Sequence, residues 1–429
     1  MRRRLRRAAL LGACASVALA IAACAGKQAT RPEPLVKLTN RIHVVRVWHV
    51  HLYHEAPKLR LGLDVAAVGS RVFVASHNGA VEAFDLASGR RLWRRKLRAA
   101  LAGGPGVGDG LVVVGSSKGD VIALSVADGK PRWRRRINSE IIAAPAVGDD
   151  LVVVRGVDGR LEALSTMDGT DKWIVNEPVP QLSLRGTSRP ILIGSLAVCG
   201  FDNGRVLAVS RADGMTAWNA VISEPHGSSE LQRLIDVDAP VVAAGDDLYA
   251  VAYQGRVVRL SRDNGQSMWT HDLSSFRGLA VDGDGVYVST ADGDLVRLDR
   301  RTGAVQWQQK VLERRELSAP VVYRGRVVVA DLDGYVHWFD PATGAYLARV
   351  RAGRHRVSTT PVIAGGLLLV FTDGGDLSAF RAPPASVAAA PGPPPPKAKP
   401  HAAPAVSTKA AAPAKAAAPA KAAAPAGPH

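Results

Sequence analysis

From Pro240 the chain reads PVVAAGDDLYAVAYQGRVVRLSRDNGQSMW, four short apolar or alternating runs separated by polar breaks. The runs are PVVAA, LYAVAY, RVVRL and QSMW. The breaks are Gly245-Asp246-Asp247, Gln254-Gly255 and Asn264-Gly265. β-Branched runs joined by Gly, Asn and Asp turns predict hairpins. Four in succession predict an antiparallel meander. Glycine at the second and third turns is expected to supply the positive φ that tight turns need.

The pattern recurs along most of the chain. A glycine is followed fourteen positions later by tryptophan at Gly79/Trp93, Gly119/Trp133, Gly159/Trp173, Gly204/Trp218, Gly255/Trp269 and Gly293/Trp307. A seventh copy, from Gly334, has Ala348 at the tryptophan place, and an eighth begins at Gly375 and stops after GDLSAF. Strand-built repeats of about forty residues predict a β-propeller. The expectation is an all-β, eight-bladed β-propeller of four-stranded antiparallel blades over residues 41–381. The eighth copy lacks its outer strand. RIHVVRVWHVHLYHE, which carries Trp48, is expected to supply it, so that the N-terminal strand closes the ring and leaves no open edge. Each outer-strand tryptophan is expected to pack between neighbouring blades, where a large ring buries much apolar area.

The two ends differ in composition. Five arginines precede an apolar run from Ala8 to Ala23, the pattern of an export signal over residues 1–23. The run ends Ile21-Ala22-Ala23-Cys24, which resembles the lipobox of bacterial lipoproteins, so Cys24 is the candidate lipidation site. The alternative match at Cys14 follows a much shorter apolar run. Residues 24–40 are then a tether. Residues 382–429 are rich in Ala, Pro and Lys and are expected to be disordered.

Net charge is +17, of which the signal and the tail contribute five each, leaving +7 for the body. The body has no cluster of aromatic and basic residues, and no nucleic-acid partner is implied. Basic residues crowd the outer strands at Arg94-Arg95-Lys96 and Arg134-Arg135-Arg136. Cations on an edge strand block aggregation; a face that meets anionic lipid is the other reading. Cys199 stands alone in an apolar stretch and is expected to be a buried strand residue.

Catalytic motifs are not evident. The Asp-Gly pairs, such as Asp128-Gly129 and Asp168-Gly169, recur at fixed repeat positions and read as turns. His49, His51 and His54 form H-x-H-x-x-H; the first two share one face of a strand, which makes a metal site conceivable. They also fall in the segment needed as a structural strand.

Repeat length carries more information. Intervals between the repeat glycines are 40, 40, 45, 51, 38, 41 and 41. The two long ones are adjacent, and their extra residues lie after Trp173 and after Trp218, in connections expected on the same face. Loops carry function on a rigid scaffold more often than core does. The first enlarged loop presents Leu182, Leu184 and Arg185, the second Asp236 and Asp238. They suit a protein partner, or alternatively cap the core; spacing does not separate the two.

These loops carry a resemblance. Leu182-Ser183-Leu184-Arg185-Gly186 and Arg233-Leu234-Ile235-Asp236-Val237-Asp238 are similar to motifs of the outer membrane protein assembly factor BamB family. The resemblance covers the signal, the cysteine and all eight repeats. It implies a non-catalytic scaffold without a cofactor, lipid-anchored to the outer membrane and facing the periplasm. It also implies that the scaffold joins the Bam complex, binds the POTRA domains of BamA and assists insertion of β-barrel clients. The family's partner-binding residues fall on Leu182, Leu184, Arg185, Asp236 and Asp238. The repeat by itself also resembles the tryptophan-docking repeats of PQQ-dependent alcohol dehydrogenases. Those enzymes use an adjacent Cys-Cys pair, which this chain lacks.

Overall fold

A computed structural model of the chain describes residues 31–52, 62–184, 188–224, 228–229 and 231–385. Among these residues there are strands, turns and no helix. Seven four-stranded meanders follow one another in sequence order: blade 1 (65–96), blade 2 (101–136), blade 3 (146–176), blade 4 (191–221), blade 5 (242–272), blade 6 (279–309) and blade 7 (321–351). Blade 8 takes three strands from residues 362–381 and its outer strand, Val45–His51, from the other end of the chain. The closing register runs from Val45 opposite Arg381 to His51 opposite Asp376. A short strand, Gly62–Leu63, adds in parallel to the inner strand of blade 2.

The antiparallel order fixes which turns share a face. Connections from an outer strand to the next inner strand lie with the second turns of the blades, on what we call the connection face. First and third turns lie on the opposite face. Gly79 shows the first grouping, since a Cβ there would stand 2.3 Å from the Leu97 carbonyl of the connection between blades 1 and 2. Positive φ at the second turn falls on the repeat glycine in blades 1–4 and 6–8. In blade 5 it falls one residue earlier, on Gln254 (φ 48), and not on Gly255 as expected.

The tryptophans dock as the pattern predicts, and with one geometry. Each indole lies against the third-turn glycine of the following blade: Trp48 on Gly89, Trp93 on Gly129, Trp133 on Gly169, Trp173 on Gly214, Trp218 on Gly265, Trp269 on Gly303 and Trp307 on Gly344. Each ring N–H also donates to the carbonyl three residues before that glycine, from Leu86 (2.9 Å) round to Pro341 (2.9 Å). Glycine is required there because a Cβ would sit 2.6–2.9 Å from the ring. A β-bulge before the tryptophan in each of these outer strands re-aims the side chain across the gap.

The seam between blades 7 and 8 departs from this rule. Blade 8 has no third turn, because its outer strand comes from the N-terminus. An outer-strand tryptophan in blade 7 would have no glycine to meet. Ala348 stands there, and Trp338 occupies the position directly across the pair, on the third strand. Blades 1 to 4 show the reverse arrangement, with alanine on the third strand and tryptophan on the outer one. Trp338 is fully buried and meets Phe380 of blade 8 edge-on at 6.3 Å.

The described part of the expected tether is docked. Glu33 N donates to Glu313 O at 3.1 Å, Asn40 brackets the backbone of Arg349, and Arg41 N donates to Leu347 O at 2.8 Å. The segment therefore runs down the outer edge of blade 7, from the connection face to the opposite one, before entering blade 8. Cys24 and the Ala/Pro/Lys segment from residue 386 lie outside the described residues.

Candidate functional site

The enlarged connections flank blade 4, one leading into its inner strand and the other leaving its outer strand. Both are built to hold a shape. The first is pinned at its start by Glu177, whose carboxylate accepts from Asn203 (3.1 Å) and Asn219 (3.2 Å) of blade 4. Its end is pinned by Ser188, whose hydroxyl donates to Ala239 O of the second connection at 3.0 Å. Between these points Leu184 N–H donates to the Asp236 carboxylate. The second connection buries Leu234, Ile235, Val237 and Ala239 and pairs Asp236 with Tyr253 of blade 5, whose N–H donates to Asp236 O at 2.8 Å. Its outer part forms a turn closed by Gln232, whose side-chain oxygen accepts from Ser228 N at 3.0 Å.

The apolar residues sort into two groups. Leu184 is half-buried against this framework. Leu182 is 41% exposed, Val179 37% and Leu231 67%, so each enlarged connection offers unburied apolar side chains on the connection face. Alternation placed Leu182 and Leu184 in one role; the structure gives Leu182 to solvent and Leu184 to the joint between loops. Arg185 lies outside the described residues.

The two aspartates sit lower than exposed partner-facing residues would. Asp236 is fully buried and Asp238 half-buried. Burial pushes the Asp236 carboxyl up to about 7; the Leu184 N–H holds it down, Asp202 pushes it further up and Arg155 opposes that. Asp238 is raised well above its ordinary range by burial and by Asp236 and Asp202. Beneath them Arg155, itself fully buried, pairs with Asp202 at 3.2 Å and lies 4.4 Å over the Phe201 ring. This buried base was missed from the sequence. Its signal was present: four residues before the repeat glycine the other blades carry Ala75, Gly115, Gly200, Val251, Ser289, Ala330 and Phe371, and only blade 3 places a charge there. Leu231 was also missed, because the turn that exposes it has no strand periodicity.

The remaining sequence candidates fall elsewhere. Cys199 is buried, its thiol pushed up to about 12 by burial, and it donates weakly to Ser188 O. Asp128, Asp168 and Asp213 each accept the N–H two residues on, as turn residues do. His49 Nε2 and His51 Nδ1 stand 3.1 and 2.9 Å from one Asp376 oxygen on the closing pair of strands. His54 lies outside the described residues, among which no group of three His, Cys, Asp or Glu side chains is arranged to hold a metal ion.

Fold and loops together define a tryptophan-docked eight-bladed propeller of the PQQ-like repeat type, with two interlocked connections as its distinctive surface. Comparison with known proteins narrows the class. A family profile described as outer membrane protein assembly factor BamB matches residues 77–309 and 306–387. The protein of that name from Pseudomonas aeruginosa is 42% identical over 367 residues, covering 85% of this chain and 97% of that one. Its counterpart from Alkalilimnicola ehrlichii is 43% identical, covering 85% and 94%. The crystal structure of BamB from Moraxella catarrhalis superposes with a TM-score of 0.73 at 25% identity, covering 79% of this chain and all of that one. A quinohemoprotein alcohol dehydrogenase from Comamonas testosteroni superposes at 0.61 with 13% identity, which shows the shared fold alone. The chain belongs to the outer membrane protein assembly factor BamB family.

Proposed function

We propose that this propeller serves the outer-membrane β-barrel assembly machinery as a non-catalytic scaffold. It binds the periplasmic POTRA domains of BamA through the two connections flanking blade 4 and so assists insertion of β-barrel clients. The observation that carries the reading is the joint between those connections. A pair of loops tied by Leu184 and Asp236 offers exposed leucines in a fixed relation, and preorganisation lowers the entropic cost of binding.

In this reading Leu182 and Leu184 supply the apolar contact and Arg185 a directional charge. Asp236 and Asp238 act from below, by holding the loop that presents them. Lipidation of Cys24 anchors the scaffold to the outer membrane, facing the periplasm.

The test is binding to the purified POTRA domains of BamA. Leu182→Ala, Leu184→Ala and Arg185→Glu are expected to lower affinity roughly ten- to a hundred-fold, or about 1–3 kcal/mol each. The melting temperature should barely move, because these are connection residues. Normal binding by all three variants would remove this surface from consideration.

A further inference from the structure

The connection face carries a second feature, away from the enlarged loops. Between blades 1 and 2 lies a groove of about 750 Å³, lined by His77, Lys96, Arg98, Lys118, Arg134 and Arg136. The one acid in its wall, Asp120, is buried and already paired with Arg134 at 2.9 Å. Arg136 donates to the Lys118 carbonyl, which fixes its guanidinium at the rim. Among the described residues no carboxylate pairs with Lys96, Arg98 or Lys118, and all three are exposed. Basic residues elsewhere on the outer strands of blades 1 and 2 are mostly spent within the fold: Arg91 and Arg94 on Glu82, Arg95 on the Gly129 carbonyl, Arg135 on Asp171. Three cations without a carboxylate partner and two engaged arginines therefore line one groove.

The course of the N-terminal segment gives the groove a direction. Arg31 and Glu33 are held by Arg314 and Arg315 in the connection between blades 6 and 7. That connection lies on the same face as the groove. Seven steps of chain separate Arg31 from Cys24, at most roughly 24 Å when extended. If Cys24 carries the anchor, as proposed above, the acyl chains enter the bilayer within that reach of the connection face. A lone anchor leaves a propeller free to swivel. A polybasic surface on the anchored side supplies a second contact that fixes the orientation of the propeller on the bilayer.

We infer that the groove between blades 1 and 2 is a docking surface for anionic phospholipid headgroups. Lys96, Arg98 and Lys118 are the principal contacts, with Arg134 and Arg136 as the rim. Phosphates at a bilayer surface match the groove in charge, and several cations on one face engage several headgroups at once.

The test uses the full chain carrying Cys24→Ser, so that no acyl chain contributes. Co-sedimentation is measured with vesicles of phosphatidylethanolamine alone and with phosphatidylethanolamine mixed with phosphatidylglycerol. Binding is expected only to the anionic vesicles and should weaken as salt rises. The triple variant Lys96→Glu/Arg98→Glu/Lys118→Glu should bind about tenfold more weakly or worse. Arg90→Glu/Lys130→Glu/Lys172→Glu, with the same change in net charge at or just after the third turns of the opposite face, should bind as the parent does. The inference is overturned if both triples lose binding equally, if the parent does not distinguish the two vesicles, or if millimolar inorganic phosphate at constant ionic strength releases the protein. It is also overturned if the groove triple keeps vesicle binding but loses BamA. Loss of BamA binding through the Leu182 or Leu184 variants leaves the vesicle measurement untouched, so the two readings fail separately.

Discussion

The backbone N–H of Leu184 donates to the carboxylate of Asp236, and this contact joins the connection entering blade 4 to the connection leaving it. The acceptor is buried, so the bond is shielded from water. Removing it would release a half-buried leucine together with the exposed Leu182 beside it. The most specific motif residues of the two loops therefore meet each other before they meet anything else.

The buried position of Asp236 makes the joint sensitive to pH. Its carboxyl is pushed up to about 7 from an ordinary 3.8. The folded state then holds its proton more tightly than the unfolded chain, so this residue's contribution to stability falls as pH rises from about 4 to about 7 and levels off beyond. Asp236→Asn keeps an acceptor for the Leu184 N–H and carries no charge. Measured by urea unfolding, the variant should gain on the parent by on the order of 2 kcal/mol between pH 5 and pH 8. An unchanged difference at the two pH values would mean that Asp236 does not titrate there.

The tryptophan docking rule yields a reciprocal pair of predictions. Trp173→Ala empties the slot over Gly214 and should cost about 3–5 kcal/mol. Gly214→Ala places a Cβ 2.9 Å from the same ring at a φ of +75, and should also lower the melting temperature. Ala348→Trp, which restores the repeat consensus, should destabilise by about 1–3 kcal/mol through overpacking against Trp338 and Phe380. A more stable Ala348→Trp variant would show that the seam has room for a docked ring.

Most of the fold was legible in the repeat because blades are copies, and a pattern seen seven times averages out local ambiguity. Trp48 marked the closing strand from the far end of the chain for the same reason. Trp338 was not legible. Its meaning depends on the missing third turn of the next blade, a fact of ring closure that no single repeat contains. The enlarged connections were located by interval length alone, while the burial of Asp236 was not, since nothing in a loop sequence distinguishes a carboxylate aimed outward from one folded beneath its neighbours.

Cys24→Ser should remove the acyl label and, once membranes are washed at high salt to release groove-bound protein, move the protein from the outer-membrane fraction to the soluble periplasmic fraction. Fractionation with acyl labelling checks this, and retention of both label and membrane association would return attention to Cys14.

Titration of the purified protein with PQQ and Ca²⁺ is expected to show no saturable binding and no alcohol oxidation. Tight stoichiometric uptake would instead favour an enzymatic role for the shared repeat.

Ring closure also sets an order of events in the life of the chain. The strand Val45–His51 is among the first made and pairs with Asp376–Arg381, more than three hundred residues later. While blades 1 to 7 can form as they emerge, the first strand waits with an unpaired edge until nearly the whole chain has been delivered. Contacts so distant in sequence are slow to form. The circle is therefore completed last, by its oldest segment. Until then Trp48 cannot be held in blade 8, and a truncated product would show its defect at both ends at once.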